Sequence, residues 1–416
     1  MNAAILSIGE ELTSGQCVDT NAAWLSRSLT ARGLNVVRHV TVPDNLAAIA
    51  GALAASMTGV DLLVATGGLG PTPYDLTRQA LADALGVALE HSAEAEAQIR
   101  GFFARWGRPV NESNLVQAKL PRGCSVLDNS CGTAPGIKFV GPTCRVFVLP
   151  GVPAEMKLMF ERRVAPGLSA SGTVTLTESL RCFGLSEAAL GERLADVMVR
   201  TRNPLVGVTA AGAILTVSVK ATACRENEAR GLLHADLRAI RARLGTFVFG
   251  TCSEGLEHAV AGLLRKLGRT VATAESCTGG LLAKRLTDVP GATAFFVSGV
   301  VCYANRAKVD LLGVPAALID SSGAVSKAVA KAMAERCRAA AASDFSLAIT
   351  GIAGPSGGCP PEKPVGLVFI AVSGQSGCEV RRCCFGEHLS RCEIRSRSVH
   401  TALDMLRNRL LRLTAV

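Results

Sequence analysis

Ser276 lies in Glu275-Ser276-Cys277-Thr278-Gly279-Gly280, a run of small residues between an apolar segment and a helical one. A serine on a strand-to-helix turn attacks a carbonyl once a base removes its proton. It can equally cap the helix or ligate an anion. None of the six histidines falls in a comparable loop: His91, His234 and His258 lie within or beside helical segments, and His388 and His400 lie in a basic tail. A Ser-His-Asp triad is therefore poorly supported. Lys308, in Tyr303-Ala304-Asn305-Arg306-Ala307-Lys308, is the alternative base. A lysine serves as a base only where burial or neighbouring positive charge lowers its pKa. It stands 32 positions from Ser276, so only the fold can pair them, and a surface helix lysine is the plain alternative. Cys277 ranks second as nucleophile, since no histidine is placed to activate it. Thr350 leads into Gly351-Ile352-Ala353-Gly354-Pro355-Ser356-Gly357-Gly358, a loop whose amides suit a phosphate or an oxyanion and which reads equally as a flexible surface loop.

A second constellation lies near the N-terminus. Thr66-Gly67-Gly68-Leu69-Gly70-Pro71 brings several backbone N–H groups near a helix start with few side chains in the way. Such a nest suits a phosphate, and a tight turn that needs glycine for geometry alone is the competing reading. Asp44 follows the second strand and Asp75 opens the next helix, on the same edge of a parallel sheet. Two carboxylates beside an anion site are what a divalent ion bridging protein and phosphates requires, and Mg, Mn or Co all suit them. Each aspartate also reads as an N-cap, Asp44 for 46–57 and Asp75 for 76–85.

The elements that must carry these loops follow from the apolar pattern. Residues 1–167 alternate short strands (3–8, 34–42, 61–65) with helical stretches (21–32, 46–57, 74–85), and a further strand falls at 145–149. This predicts a doubly wound, mainly parallel sheet with helices on both faces. Its ligands belong at the carboxyl edge. Residues 168–252 predict a small α+β domain: a polar linker running into a strand over 169–177, helices at 186–199 and 226–244, and a strand at 213–221. Residues 253–416 predict an α/β domain: helices at 256–267, 281–286, 327–342 and 399–411, with strands at 270–274, 295–303, 346–350 and 365–372.

Composition bounds the function. The chain has 416 residues, 49% of them hydrophobic and 19% charged, which is globular rather than disordered and enough for more than one core. Aromatics are only 4%, which argues against base-stacking platforms for single-stranded nucleic acid. The net charge of +10 is partly local, with eight Arg against four acids over 378–416, and reads as solvated surface. The 15 cysteines include no C-x-x-C, which argues against a zinc ribbon or a disulfide framework. They read mostly as buried thiols of a reducing, cytoplasmic protein. No stretch reaches the length and apolarity of a membrane span, and the N-terminus reads as a first strand, not a signal peptide.

Taken together, these motifs resemble the competence/damage-inducible CinA family, nearly end to end and in two blocks. The first runs from Ile8-Gly9-Glu10-Glu11-Leu12 through Asp19-Thr20-Asn21, Thr66-Gly67-Gly68-Leu69-Gly70-Pro71, Asp75-Leu76-Thr77 and Gly132-Thr133-Ala134-Pro135-Gly136 to Leu149-Pro150-Gly151-Val152-Pro153. It is similar to the molybdopterin-binding-type domain. The second holds Ala274-Glu275-Ser276-Cys277-Thr278-Gly279-Gly280, Tyr303-Ala304-Asn305, Ala307-Lys308, Thr350-Gly351-Ile352-Ala353-Gly354-Pro355 and Lys363-Pro364-Val365-Gly366. It looks like the nicotinamide-nucleotide amidase domain.

The resemblance implies a C-terminal amidase that converts nicotinamide mononucleotide to nicotinate mononucleotide and ammonia without a cofactor. Ser276 is then the nucleophile and Lys308 the base, with Tyr303 beside them. Thr278, Gly279, Gly280, Thr350, Gly351 and Gly354 would line the substrate, and Arg391 or Arg395 would meet its phosphate. The first domain would be a metal-dependent ADP-ribose pyrophosphatase giving AMP and ribose 5-phosphate. Thr66, Gly67, Gly68, Gly70, Asp75, Gly132 and Gly151 would hold the nucleotide, and Asp44 and Asp75 the ion. A homodimer is also implied. The alternatives are a non-catalytic nucleotide- or pterin-binding first domain, and a non-enzymatic DNA-uptake or repair partner whose only support is the basic tail. The chain departs from the family pattern at Tyr74-Asp75, where Asp-Asp is usual, at Glu10, and at Leu389-Ser390-Arg391.

Overall fold

Strand Asn2–Ile8 is buried from its second residue onward, and its side chains divide by parity. Ala4, Leu6 and Ile8 enter one apolar cluster, while Ala3 and Ile5 enter another on the opposite face. A strand with two dry faces must be covered on both, which is the physical content of a doubly wound sheet. The computed structural model describes residues 1–168, 172–251, 254–356 and 363–414. In the first sheet the strands run Asn35–Val42, Asn2–Ile8, Leu62–Thr66, Arg145–Leu149, Gly136–Val140, Ser125–Leu127. The first four are parallel and the last two antiparallel. Helices Leu46–Met57 and Thr77–Leu85 cover one face, through Ile49, Leu53, Ala80 and Leu81. Helices Thr20–Ala31 and Pro153–Met159 cover the other, through Leu25, Leu29, Met156 and Met159. The register pairs Ile8 with Val42 and Thr66 with Leu149, so the loops after these four strands emerge along one edge.

The chain divides into two units, Met1–Thr177 with Ala221–Leu233, and Glu178–Lys220 with His234–Val416. The second unit contains an antiparallel hairpin in which Leu205–Ala211 pairs with residues 214–220 of strand Ile214–Ala223, with Leu205 opposite Lys220. Its turn at Gly212 and Ala213 takes positive φ at both residues, as a tight hairpin turn demands. The strand Leu205–Ala211 escapes sequence reading because Gly207 interrupts an already short apolar run. Helix Glu226–Leu244 has its expected bounds, whereas the expected helix at 186–199 is shorter, Glu187–Leu194. Residues 169–171 of the expected linker lie outside the described residues, and from Val174 the chain is already strand.

The last sheet runs Phe296–Val301, Val271–Glu275, Phe345–Gly351, Leu367–Gly374, Gly377–Cys384. Three strands are parallel, and the final two add on antiparallel. Every residue of Val271–Glu275 is buried. Helices Leu256–Leu267 and Arg391–Thr414 pack on one face, and Lys327–Ala340 packs on the other.

The expected last helix, 399–411, is corrected to Arg391–Thr414. The basic tail is not simply solvated. Arg407 is buried, bonds Asp404 and reaches the carbonyls of Thr246 and Val248. Arg409 bonds the Val372 carbonyl at 3.0 Å. His400 is buried on the same helix, and burial lowers its pKa. Among the described residues five cysteines are buried, namely Cys144, Cys182, Cys277, Cys302 and Cys337, and several others are exposed. No helix among the described residues is long and apolar enough to cross a membrane.

Candidate active site

Glu275, 1% exposed, ends the interior strand Val271–Glu275 of the last sheet. Its carboxylate accepts the N–H groups of Leu282 (3.0 Å) and Ala283 (2.8 Å), in the first turn of helix Leu281–Thr287. A buried carboxylate at a helix N-terminus satisfies orphan donors and the helix dipole together. The cap is therefore Glu275, and the capping alternative for Ser276 falls away. The turn between them closes because Gly279 (φ 57°) and Gly280 (φ 89°) take left-handed conformations.

With that task removed, the Ser276 hydroxyl meets Lys308. Lys308 Nζ lies 3.2 Å from Ser276 Oγ and donates to the carbonyls of Cys302 (3.1 Å) and Tyr303 (3.0 Å). Lys308 is 1% exposed and makes no ion pair with a carboxylate among the described residues. Burial pushes its pKa below the ordinary lysine value, because an ammonium without a counter-charge is poorly solvated there. Once one proton is lost, two N–H bonds remain for the two carbonyls and the lone pair faces Oγ. The surface-lysine alternative is thereby excluded. The Cys277 thiol is pushed up to about 12 by burial, so it stays protonated near neutral pH and is a poor nucleophile. The N–H groups of Thr278 and Gly280 donate to no backbone carbonyl among the described residues, which leaves them for an oxyanion.

The first turns of the last helix gather the surrounding loops. Arg391 donates to the Gly354 carbonyl (2.6 Å) and to the Tyr303 hydroxyl (2.9 Å), and Arg395 donates to the Thr278 carbonyl (2.7 Å). Tyr303 is thus present twice, by its carbonyl at Lys308 and by its exposed ring at Arg391. Thr350 and Gly351 are engaged elsewhere. The Thr350 hydroxyl donates to the Ala324 carbonyl (2.9 Å), and a Cβ on Gly351 would meet Val368 at 2.7 Å. Gly357 and Gly358 lie outside the described residues. Sequence reading gave Glu275 no role, although a carboxylate a few residues ahead of a helix start was the available signal.

The first sheet carries a cleft of ≈ 400 Å³ at its carboxyl edge, lined by residues that include Gly67, Gly68, Gly70, Tyr74 and Gly151. Asp75 does not cap a helix, which begins at Thr77. Its carboxylate takes the Gly70 N–H (2.7 Å), the Thr72 N–H (2.8 Å) and the Thr72 hydroxyl (2.6 Å). A Cβ on Gly70 would lie 2.5 Å from that carboxylate, so glycine is required there by close approach. Buried Arg78 holds the carbonyls of Leu69 and Gly70. The Thr66 hydroxyl turns to the Pro150 carbonyl (2.9 Å), away from a phosphate role. Asp44 accepts the Glu10 N–H (3.0 Å), while the cap of Leu46–Met57 is Asn45. Gly132 leaves room for Glu155, whose carboxylate accepts from Asn129 at 2.7 Å and lines the cleft.

Among the described residues, no three His, Cys, Asp or Glu side chains are grouped to hold an ion by themselves. Glu11, Asp44, Asp75 and Glu155 nevertheless line one cleft with hard oxygen donors. That donor set fits an ion of the Mg class, which keeps its waters and is held by one or two carboxylates together with substrate phosphates. It does not fit a preassembled protein cage.

Three family models match the chain in order: "Probable molybdopterin binding domain" over residues 4–170, "Damage-inducible protein CinA KH domain" over 177–250 and "CinA C-terminal domain" over 253–410. The CinA-like protein of Geobacter sulfurreducens is 44% identical over 415 residues, covering 99% of this chain and 100% of that protein. The CinA-like protein of Geobacter metallireducens is 44% identical over 416 residues, covering 99% and 100%. Among solved structures, a competence/damage-inducible protein of Agrobacterium tumefaciens is 42% identical over 37% of this chain and 94% of that one, with a TM-score of 0.35.

Proposed function

From the premise that this chain belongs to the CinA family of competence/damage-inducible proteins, we propose that residues 253–416 form a nicotinamide-nucleotide amidase. The observation that carries this reading is the buried Lys308 Nζ at 3.2 Å from Ser276 Oγ. Neutral Lys308 takes the Ser276 proton as Oγ adds to the carboxamide carbon of nicotinamide mononucleotide. The oxyanion is met by the free N–H groups of the 276–280 turn. Collapse breaks the C–N bond, and Lys308 returns the proton to departing ammonia. An acyl group is left on Ser276. Water, deprotonated by Lys308, then adds to the acyl carbon, and nicotinate mononucleotide leaves as Ser276 regains its proton. Arg391 and Arg395 supply the positive charge that a mononucleotide phosphate requires.

The test is ammonia release from nicotinamide mononucleotide by the purified chain beside Ser276→Ala and Lys308→Ala. Release by the parent chain, with a loss of about 10³-fold or more in each folded variant, is expected. No release by the parent chain overturns the reading.

For the first domain we propose a divalent-ion-dependent ADP-ribose pyrophosphatase, giving AMP and ribose 5-phosphate. The cleft supports it by joining four carboxylates to a glycine loop at the carboxyl edge of the sheet. When bound, the ion would neutralise diphosphate charge and activate water. Asp44, Asp75, Glu11 and Glu155 are the residues to hold it. The absence of a preassembled ion cage among the described residues favours one competing reading, a cleft that binds nucleotides without cleaving them. AMP formation from ADP-ribose with Mg, Mn or Co present distinguishes the two.

A further inference from the structure

We propose that Tyr74 is the base-stacking residue of the N-terminal cleft, and that it directs the cleft toward nucleoside diphosphates over base-free phosphates. The proposal deepens the nucleotide reading of that cleft and rests on it. Tyr74 is 74% exposed yet lines the cleft, and it is the one aromatic residue among those that do. Its side chain makes no hydrogen bond or ring contact among the described residues, so the fold itself makes no visible use of it. A single exposed aromatic is ordinary on a protein surface; what sets Tyr74 apart is its place at the cleft, where its face stays open to a ligand.

Its mounting is rigid although its ring is free. The following residue, Asp75, is fastened by three hydrogen bonds to Gly70 and Thr72, and Arg78 holds the carbonyls of Leu69 and Gly70. The ring therefore rides on a fixed loop with only its own two side-chain torsions to settle. Stacking then orders few degrees of freedom. The rest of the cleft lining divides cleanly by chemistry. The N–H groups of Gly68 and Leu69 donate to no carbonyl among the described residues and suit phosphate oxygens. The carboxylates Glu11, Asp44, Asp75 and Glu155 suit a cation travelling with a diphosphate. Neither set recognises a base. An aromatic face at the rim does, because every base has a π-face to offer.

The experiment is calorimetric titration of the full chain with ADP-ribose, presented as its non-cleavable methylene-bridged analogue so that binding and not turnover is read, and, as the base-free probe, inorganic pyrophosphate, both with Mg present. Tyr74→Ala is expected to weaken ADP-ribose about ten-fold and leave pyrophosphate unchanged, while Tyr74→Phe keeps the parent affinity for both. An unchanged ADP-ribose affinity in Tyr74→Ala overturns the stacking role and leaves the nucleotide reading standing. Equal weakening of both ligands also overturns it, since the ring would then act on the loop and not on the base. If the parent chain binds neither ligand, the nucleotide reading fails and the stacking role falls with it.

Discussion

Glu275 and Ser276 are consecutive residues whose side chains engage separate partners: the carboxylate takes the N–H groups of Leu282 and Ala283, and the hydroxyl meets Lys308 Nζ. One residue anchors the turn and the next is free to react. Where the second is placed depends on the first.

Glu275→Ala strands the buried Leu282 N–H and the part-buried Ala283 N–H, so it is expected to lower stability by about 2–3 kcal/mol and amidase activity by about 100-fold. Glu275→Gln keeps an acceptor oxygen and should recover most of the activity. Thermal melts and ammonia release on both variants check this. A silent Glu275→Ala would remove the positioning role.

The pH profile follows from Lys308. Only its neutral form can accept the Ser276 proton, and burial lowers its pKa below the ordinary lysine value. The kcat/KM for ammonia release should therefore rise with pH through one ionisation below that value and then level off. Lys308→Arg, which does not lose its proton, should stay inactive throughout. A profile that falls with rising pH would contradict the assignment.

Removing the Lys308 amine should separate stability from activity. With the folded-state pKa below the unfolded one, the unfolded chain holds the extra proton between the two values, so stability rises with pH across that window. Below the window the full burial penalty applies. Lys308→Met should therefore raise Tm by about 1–4 °C at pH 7 while abolishing turnover. Its Tm advantage should shrink as pH climbs through the window. A lower Tm at pH 7 would show that the two carbonyl bonds outweigh the burial penalty.

Chelation separates the two proposed chemistries. EDTA should stop AMP formation from ADP-ribose and leave ammonia release from nicotinamide mononucleotide unchanged, because no step of the Ser276–Lys308 reaction calls for an ion. Asp75→Asn should loosen the Gly70–Thr72 loop as well as weaken the ion, reducing AMP formation about 10-fold or more. Equal sensitivity of both activities to EDTA would argue against this division.

The alternating apolar pattern made the parallel strands legible, and helix Leu46–Met57 has the bounds that its alanine-rich run predicts. Strand Gly377–Cys384 was not legible, because an edge strand with one exposed face reads Gly-Cys-Glu-Val-Arg-Arg-Cys-Cys and carries no apolar run. The first turns of the last helix were hidden by Arg391, Arg395 and Arg397, whose charges resemble surface but which flank buried Ile394 and Ser398. At the site, Ser276 and Lys308 could be nominated separately by residue type. Their approach is a product of sheet register, which pairs Glu275 with Val301 and so carries the following loop to the serine turn. The capping roles of Glu275 and Asn45 were legible in principle but lost to more familiar candidates, Ser276 and Asp44.

The base and its holders form one short stretch of chain, since the two carbonyls that fix Lys308 belong to Cys302 and Tyr303, six and five residues before it. The nucleophile and its anchor form another, from Glu275 to Ala283. The chemistry is thus carried on two cassettes that meet only where adjacent parallel strands end side by side. Insertions in the loops joining the other strands of the last sheet should leave the pair of cassettes in place, whereas one within Phe345–Gly351 should not, because its Ile349 carbonyl accepts the Ser276 N–H (3.0 Å). One residue added to or removed from either strand would shift the dyad by a full step, and the surrounding protein would fold around a silent site.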